Sequence, residues 1–171
     1  MSGPQRQLAA PCGLVVGAVF GVAGTFASSA SLRGLLWGID GVALVAAGAL
    51  LAIYHLRRGN DLVAAGFLVF VAGQSLVLST ASAPLDTSGP VFGAGVSLWA
   101  TSLVLVSVPG VMPLWVRVAA FVTAMLFSIV AVQVFLGQPL DALSRPLPFF
   151  AYPLLAATMF GWAWSHFRAA A

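Results

Sequence analysis

Apolar residues come in runs of about twenty along this chain, and the polar, proline- and glycine-bearing segments that interrupt them are short. A hydrocarbon core about 30 Å thick needs roughly 20 helical residues at 1.5 Å each, so every such run predicts one membrane-crossing helix. Six emerge, at about 11–30, 34–56, 62–83, 91–108, 114–136 and 149–167. Arg57-Arg58-Gly59-Asn60-Asp61 ends the second, and a loop at 84–90 holding Pro84, Asp86, Ser88, Gly89 and Pro90 ends the third. Pro109-Gly110-Val111-Met112-Pro113 ends the fourth, and the stretch 137–148 separates the last two. Proline and glycine break helices, and turns this short make helices two and three, and four and five, antiparallel neighbours. The first run, with Arg6 before it and Ala27-Ser28-Ser29-Ala30 after it, imitates a secretory signal, but it is long enough to span and reads as a retained first helix. The expected fold is all-α: a polytopic integral membrane protein, residues 1–171 forming one six-helix bundle with short loops.

Composition agrees with that pattern. The chain is 61% hydrophobic and 6% charged, against about a quarter charged for a soluble domain of this size, so water is not its main solvent. Its basic balance comes from seven arginines and no lysine against four aspartates and no glutamate, too few to make a basic face, so nucleic acid is not an expected partner. Membrane lipids are. The single Cys12 excludes an internal disulfide and a cysteine-rich metal or redox site.

Arginine placement orients the bundle. With both termini cytoplasmic, Arg6, Arg57, Arg58, Arg117 and Arg168 lie inside and only Arg33 and Arg145 outside, which is the positive-inside arrangement. Trp37, Tyr54, Trp115, Trp162 and Trp164 then fall near the interfaces, while Trp99 sits deep in the fourth helix.

Gly13, Gly17 and Gly21 form consecutive GxxxG steps on the first helix, and Gly34 and Gly38 another on the second. Small residues at this spacing let helix backbones approach in lipid. They serve packing within the bundle or, alternatively, association with a second copy through helix one or with a partner membrane protein.

Polar groups inside spans are costly and are therefore candidates for function. Asp40 is the one carboxylate within a span. Gln74 and Ser75 on helix three, Ser97 and Thr101 on helix four, and Ser128 and Gln133 on helix five share its half or the middle of the membrane. Together they suggest an outward-opening polar pocket around Asp40, although serine and threonine in spans also serve simply as interhelical hydrogen bonders worth about 0.6 kcal/mol each. A second constellation lies at the other end: His55 before Arg57-Arg58, and His166 before Arg168, each behind an aromatic-rich turn. Two such histidines are candidate axial ligands of a b-type haem, set against the plainer reading of interfacial side chains among headgroups.

Gly93-Ala94-Gly95-Val96-Ser97 places its serine one residue too late for a nucleophile elbow, and no P-loop, HExxH or EF-hand pattern occurs. The sequence thus reads as a non-enzymatic protein of a bacterial cytoplasmic (inner) membrane. It is a small carrier, channel or binding protein for a small solute or lipid, with no cofactor or metal of its own. The rivals are an accessory subunit without a ligand site and the haem electron-transfer protein.

Overall fold

The computed structural model describes residues 3–80 and 85–170, and among them all regular secondary structure is helical. Six helices follow in order: α1 (Gly3–Thr25), α2 (Ala30–Leu56), α3 (Asp61–Thr80), α4 (Leu85–Ser107), α5 (Leu114–Phe135) and α6 (Tyr152–Ala170). A single 3-10 turn, Phe149–Ala151, leads into α6. Five of them, α1 to α5, are long and apolar enough to cross a membrane.

Several ends differ from the hydrophobic pattern, for local reasons. Helix α1 starts at Gly3, ahead of the apolar run, and carries Pro11 inside it. It stops at Thr25, and α2 starts four residues before Gly34 because Ser29, in an extended conformation, caps it by accepting the Leu32 N–H at 3.2 Å. The loop expected at 84–90 is corrected: from Leu85 onward the chain is already helical, with Pro90 accommodated in the second turn. The third helix's expected end at Ala83 lies outside the described residues. Gly59 and Gly137, at φ of 71° and 85°, take the left-handed conformation that closes α2 and α5, with Asn60 N–H returning to the His55 carbonyl and Gln138 N–H to that of Gln133.

Each helix packs against its neighbours in sequence, and α6 packs against both α5 and α1, so the six close into a ring. The interior holds Leu44, Phe67, Phe70, Leu103, Phe127 and Trp162, all buried. Leu35, Val42, Leu68, Leu114, Met125 and Val132 point outward and are exposed. Large apolar residues inside and out mark an integral membrane protein whose outer surface is solvated by lipid.

With no hydrophobic drive between helices in lipid, close packing must hold such a ring. Gly13 and Gly17 provide it at the α1–α2 contact. A methyl on Gly13 would come 2.9 Å from the Ala47 Cβ, and one on Gly17 would collide with Leu44. The Gly13–Gly17 face of α1 is therefore occupied by α2 of the same chain. Gly34 and Gly38 do not serve packing within the chain: a methyl on either would meet nothing within 4 Å among the described residues.

Candidate functional site

One face of α2 supplies two clusters. Trp37, Asp40, Leu44, Leu51 and His55 recur at helical spacing and point into the ring. Asp40 and His55 are 15 residues apart, about 22 Å at 1.5 Å per residue, so they occupy opposite ends of the interior.

At the Asp40 end the interior of the ring is not filled and leaves a cavity of about 250 Å³. Its wall is drawn from α1, α2, α3, α4, α6 and the segment before α6, including Gly17, Gly21, Asp40, Gln74, Trp99 and Tyr152. Asp40 is held from two sides. The Gln74 Nε2 donates to its Oδ2 at 3.2 Å. Across from it, α1 turns Gly17 and Gly21 toward its Oδ1: methyls there would lie 3.3 and 3.2 Å from that oxygen. The second and third glycines of the GxxxG series thus make room for a carboxylate as well as for a helix. No guanidinium or imidazole pairs with Asp40 among the described residues.

Two further polar atoms of this wall have no hydrogen-bond partner among the described residues. Gln74 is 2% exposed and its Oε1 is free, since its amide N–H is spent on Asp40. Trp99 is 4% exposed and its Nε1–H has no partner among the described residues, the indole being held by a tilted contact to Phe127 and an edge contact to Tyr152. Both atoms are enclosed within the wall, and a buried acceptor or donor without a partner costs stability.

The segment before α6 roofs the cavity with Leu140, Asp141, Ala142 and Leu143. Asp141 is committed to its own turn, accepting from the Leu143 N–H and the Ser144 hydroxyl at 2.9 Å each. Phe149 tacks this segment to the α1–α2 turn by an edge contact with Phe26 at 5.4 Å. Arg33 lines the mouth, donating from Nη2 to the Ala27 carbonyl at 3.0 Å and lying 5.9 Å from the Trp37 ring centroid.

Of the pocket residues suggested by sequence, Asp40 and Gln74 meet and the rest do not. Ser75 is exposed and bonds the Val71 carbonyl behind it. Ser97 and Thr101 bond the carbonyls of Gly93 and Ser97, and with Ser128 they line a separate shallow groove on the outside of α4 and α5. Gln133 is half-buried near the end of α5 and lines neither cavity nor groove. A hydroxyl within reach of the carbonyl one turn back bonds its own helix, so these hydroxyls are not drawn to Asp40. Trp99, Tyr152, Gly17 and Gly21 were the members that sequence reasoning left out of the pocket. The signal available was Trp99 itself, the one tryptophan placed away from the helix ends.

At the far end of the interior, His55 and His166 touch. Their Nε2 atoms are 3.0 Å apart and the rings are 2% and 7% exposed. His166 Nδ1 donates to the Trp162 carbonyl at 2.6 Å, Phe67 stacks on His55, and Tyr54 packs on the edge of both imidazoles. Arg58 and Arg168 lie over Tyr54 and Trp164, turned to aromatic faces.

A haem does not fit here. Trans nitrogens sharing one iron are separated by about 4 Å, twice a metal–imidazole bond of about 2 Å, with a flat macrocycle between them. These nitrogens are in direct contact under a packed aromatic lid, so the haem-ligand reading of His55 and His166 is corrected to that of a buried hydrogen-bonded pair joining α2 to α6. No protein-family model, curated protein or solved structure matches the chain.

Proposed function

We propose that the chain spans the membrane six times with both termini cytoplasmic, and that it binds or carries a small solute in the cavity at Asp40 without chemically changing it. The single observation that carries this is the cavity. It lies inside the ring at the end away from Arg57, Arg58 and His166, and it holds a carboxylate with no cationic partner among the described residues. Structural bundles fill such a space, since an unfilled interior forfeits packing contacts, the main attraction available between helices in lipid. The positive-inside rule places the arginine-rich end in the cytoplasm and hence the cavity toward the outside. Helix α6 completes the ring although Thr158, Ser165, His166 and Arg168 make it less apolar than the other five. Its two flanks are covered by α1 and α5, which lowers the cost of its polar groups.

The test is Asp40→Asn, which keeps shape and the hydrogen bond to Gln74 while removing the charge. Retained thermal stability with lost solute binding or flux in proteoliposomes is the expected result. Unaltered binding and flux in a folded Asn variant would refute the role of Asp40.

A further inference from the structure

We infer that the cavity takes a compact zwitterion with an apolar body, its ammonium group at Asp40 and its anionic group toward Arg33. The inference rests on the reading of the cavity as a ligand site and names the ligand's chemistry.

At the deep end of the cavity Asp40 and Gln74 present acceptors, with the Trp99 indole N–H in the same wall. Gln74 presents its N–H to the Asp40 carboxylate, which only accepts, and its Oε1 is enclosed in the wall without a partner among the described residues. An ammonium offers three N–H donors and a charge to a carboxylate that has no cationic partner among the described residues. Four aromatic rings, Trp37, Phe92, Trp99 and Tyr152, line the same space, and ring faces favour a cation and an apolar body alike.

The mouth carries a cation, Arg33, while the Asp141 carboxylate of the roof is engaged by its own turn. Arg33 lies seven residues before Asp40 on α2, about 10 Å along the axis. One guanidinium nitrogen is spent on the Ala27 carbonyl, while its Nε–H is buried with no partner among the described residues. A guanidinium held at the mouth repels a simple cation and receives a carboxylate or phosphate. Donor and acceptor ends two turns apart on one helix therefore select a molecule that carries both charges over a molecule that carries one.

The experiment is a matched series titrated against the purified protein in detergent, read by tryptophan fluorescence, since Trp37 and Trp99 line the cavity. Phenylalanine carries both charges, phenethylamine only the ammonium, 3-phenylpropionate only the carboxylate, and 2-phenylethanol neither. Phenylalanine is expected to bind tightest. Asp40→Asn is expected to weaken it by more than about tenfold, and Arg33→Gln to reduce it to the level of phenethylamine. Equal affinity for phenylalanine and phenethylamine, or a preference for the propionate, overturns the inference. Binding of phenylethanol without phenylalanine also overturns it, while leaving the cavity as a ligand site. Failure of all four compounds on protein with an unchanged melting curve overturns the inference for this apolar body. The Asp40→Asn flux assay then decides separately on the proposed function.

Discussion

The Nε2 of His55 lies 3.0 Å from the Nε2 of His166, and one pair of tautomers satisfies that contact. The Trp162 carbonyl only accepts, so His166 carries its proton on Nδ1 and its Nε2 accepts. His55 must then donate from Nε2, which leaves its Nδ1 as a buried acceptor without a partner among the described residues. The two substitutions are consequently unequal. His166→Phe strands a buried N–H on His55 and is expected to cost about 1–3 kcal/mol. His55→Phe strands an acceptor but also removes one already unmet, so it is expected to cost less. The double Phe variant, with both partners removed, is expected to be more stable than His166→Phe alone, a non-additivity readable from unfolding curves in detergent. The same contact predicts that purified protein shows no Soret band. A Soret band abolished by His55→Ala would overturn the tautomer account.

The glycines of α1 and α2 are predicted to behave differently despite identical spacing. Gly13→Ala forces its methyl to within 2.9 Å of Ala47 and 3.2 Å of the Ala43 carbonyl, and is expected to destabilise the bundle by about 1–3 kcal/mol. Gly38→Ala meets nothing and is expected to be neutral or to stabilise α2 by up to about 1 kcal/mol, the helix propensity difference between the two residues. Melting temperatures of the two variants side by side check the claim. Equal losses would show that Gly38 packs against something.

Gly21→Ala is predicted to act on binding more than on folding. Its methyl would sit 3.2 Å from Asp40 Oδ1, and the nearest atoms it meets all belong to that side chain, so the carboxylate gives way and the helices stay in place. Weakened binding at nearly unchanged melting temperature is the expected outcome. A large loss of stability would show that α1 cannot tolerate the group and that the carboxylate is rigidly held.

Ser97→Ala and Thr101→Ala are predicted to leave both stability and binding within about 0.5 kcal/mol of the parent. Each hydroxyl bonds a carbonyl of its own helix, outside the Asp40 cavity. A binding defect in either variant would place the site in the α4–α5 groove.

Membrane orientation yields a labelling prediction. In a Cys12→Ser background, cysteines at Arg58 and Gln138, both exposed in turns at opposite ends of the bundle, are expected to react from opposite faces, Arg58→Cys from the cytoplasmic one. Labelling of both from one side would refute the proposed topology.

The sequence alone determined the class of molecule. Apolar runs of bilayer length, broken by Pro-Gly and Arg-Arg segments, leave a chain little choice in lipid, because every backbone polar group must be satisfied within its own helix. It also singled out Asp40 and Gln74, whose burial is costly enough to be conspicuous in any apolar stretch. Tertiary structure decided everything that depends on which faces meet. Ser97 and Thr101 have the polarity of pocket residues, yet their hydroxyls are satisfied one turn back and exert no pull toward Asp40. Gly17 and Gly38 look alike in sequence, but one faces Leu44 and Asp40 and the other faces open space, since packing attraction acts only at contact distance. His55 and His166, 111 residues apart, share a hydrogen bond because α6 returns to close the ring between α5 and α1. Helical periodicity specifies which residues share a face. It carries no information on the neighbour toward which that face turns, and that neighbour is what makes a carboxylate on α2, glycines on α1 and an indole on α4 into one cavity.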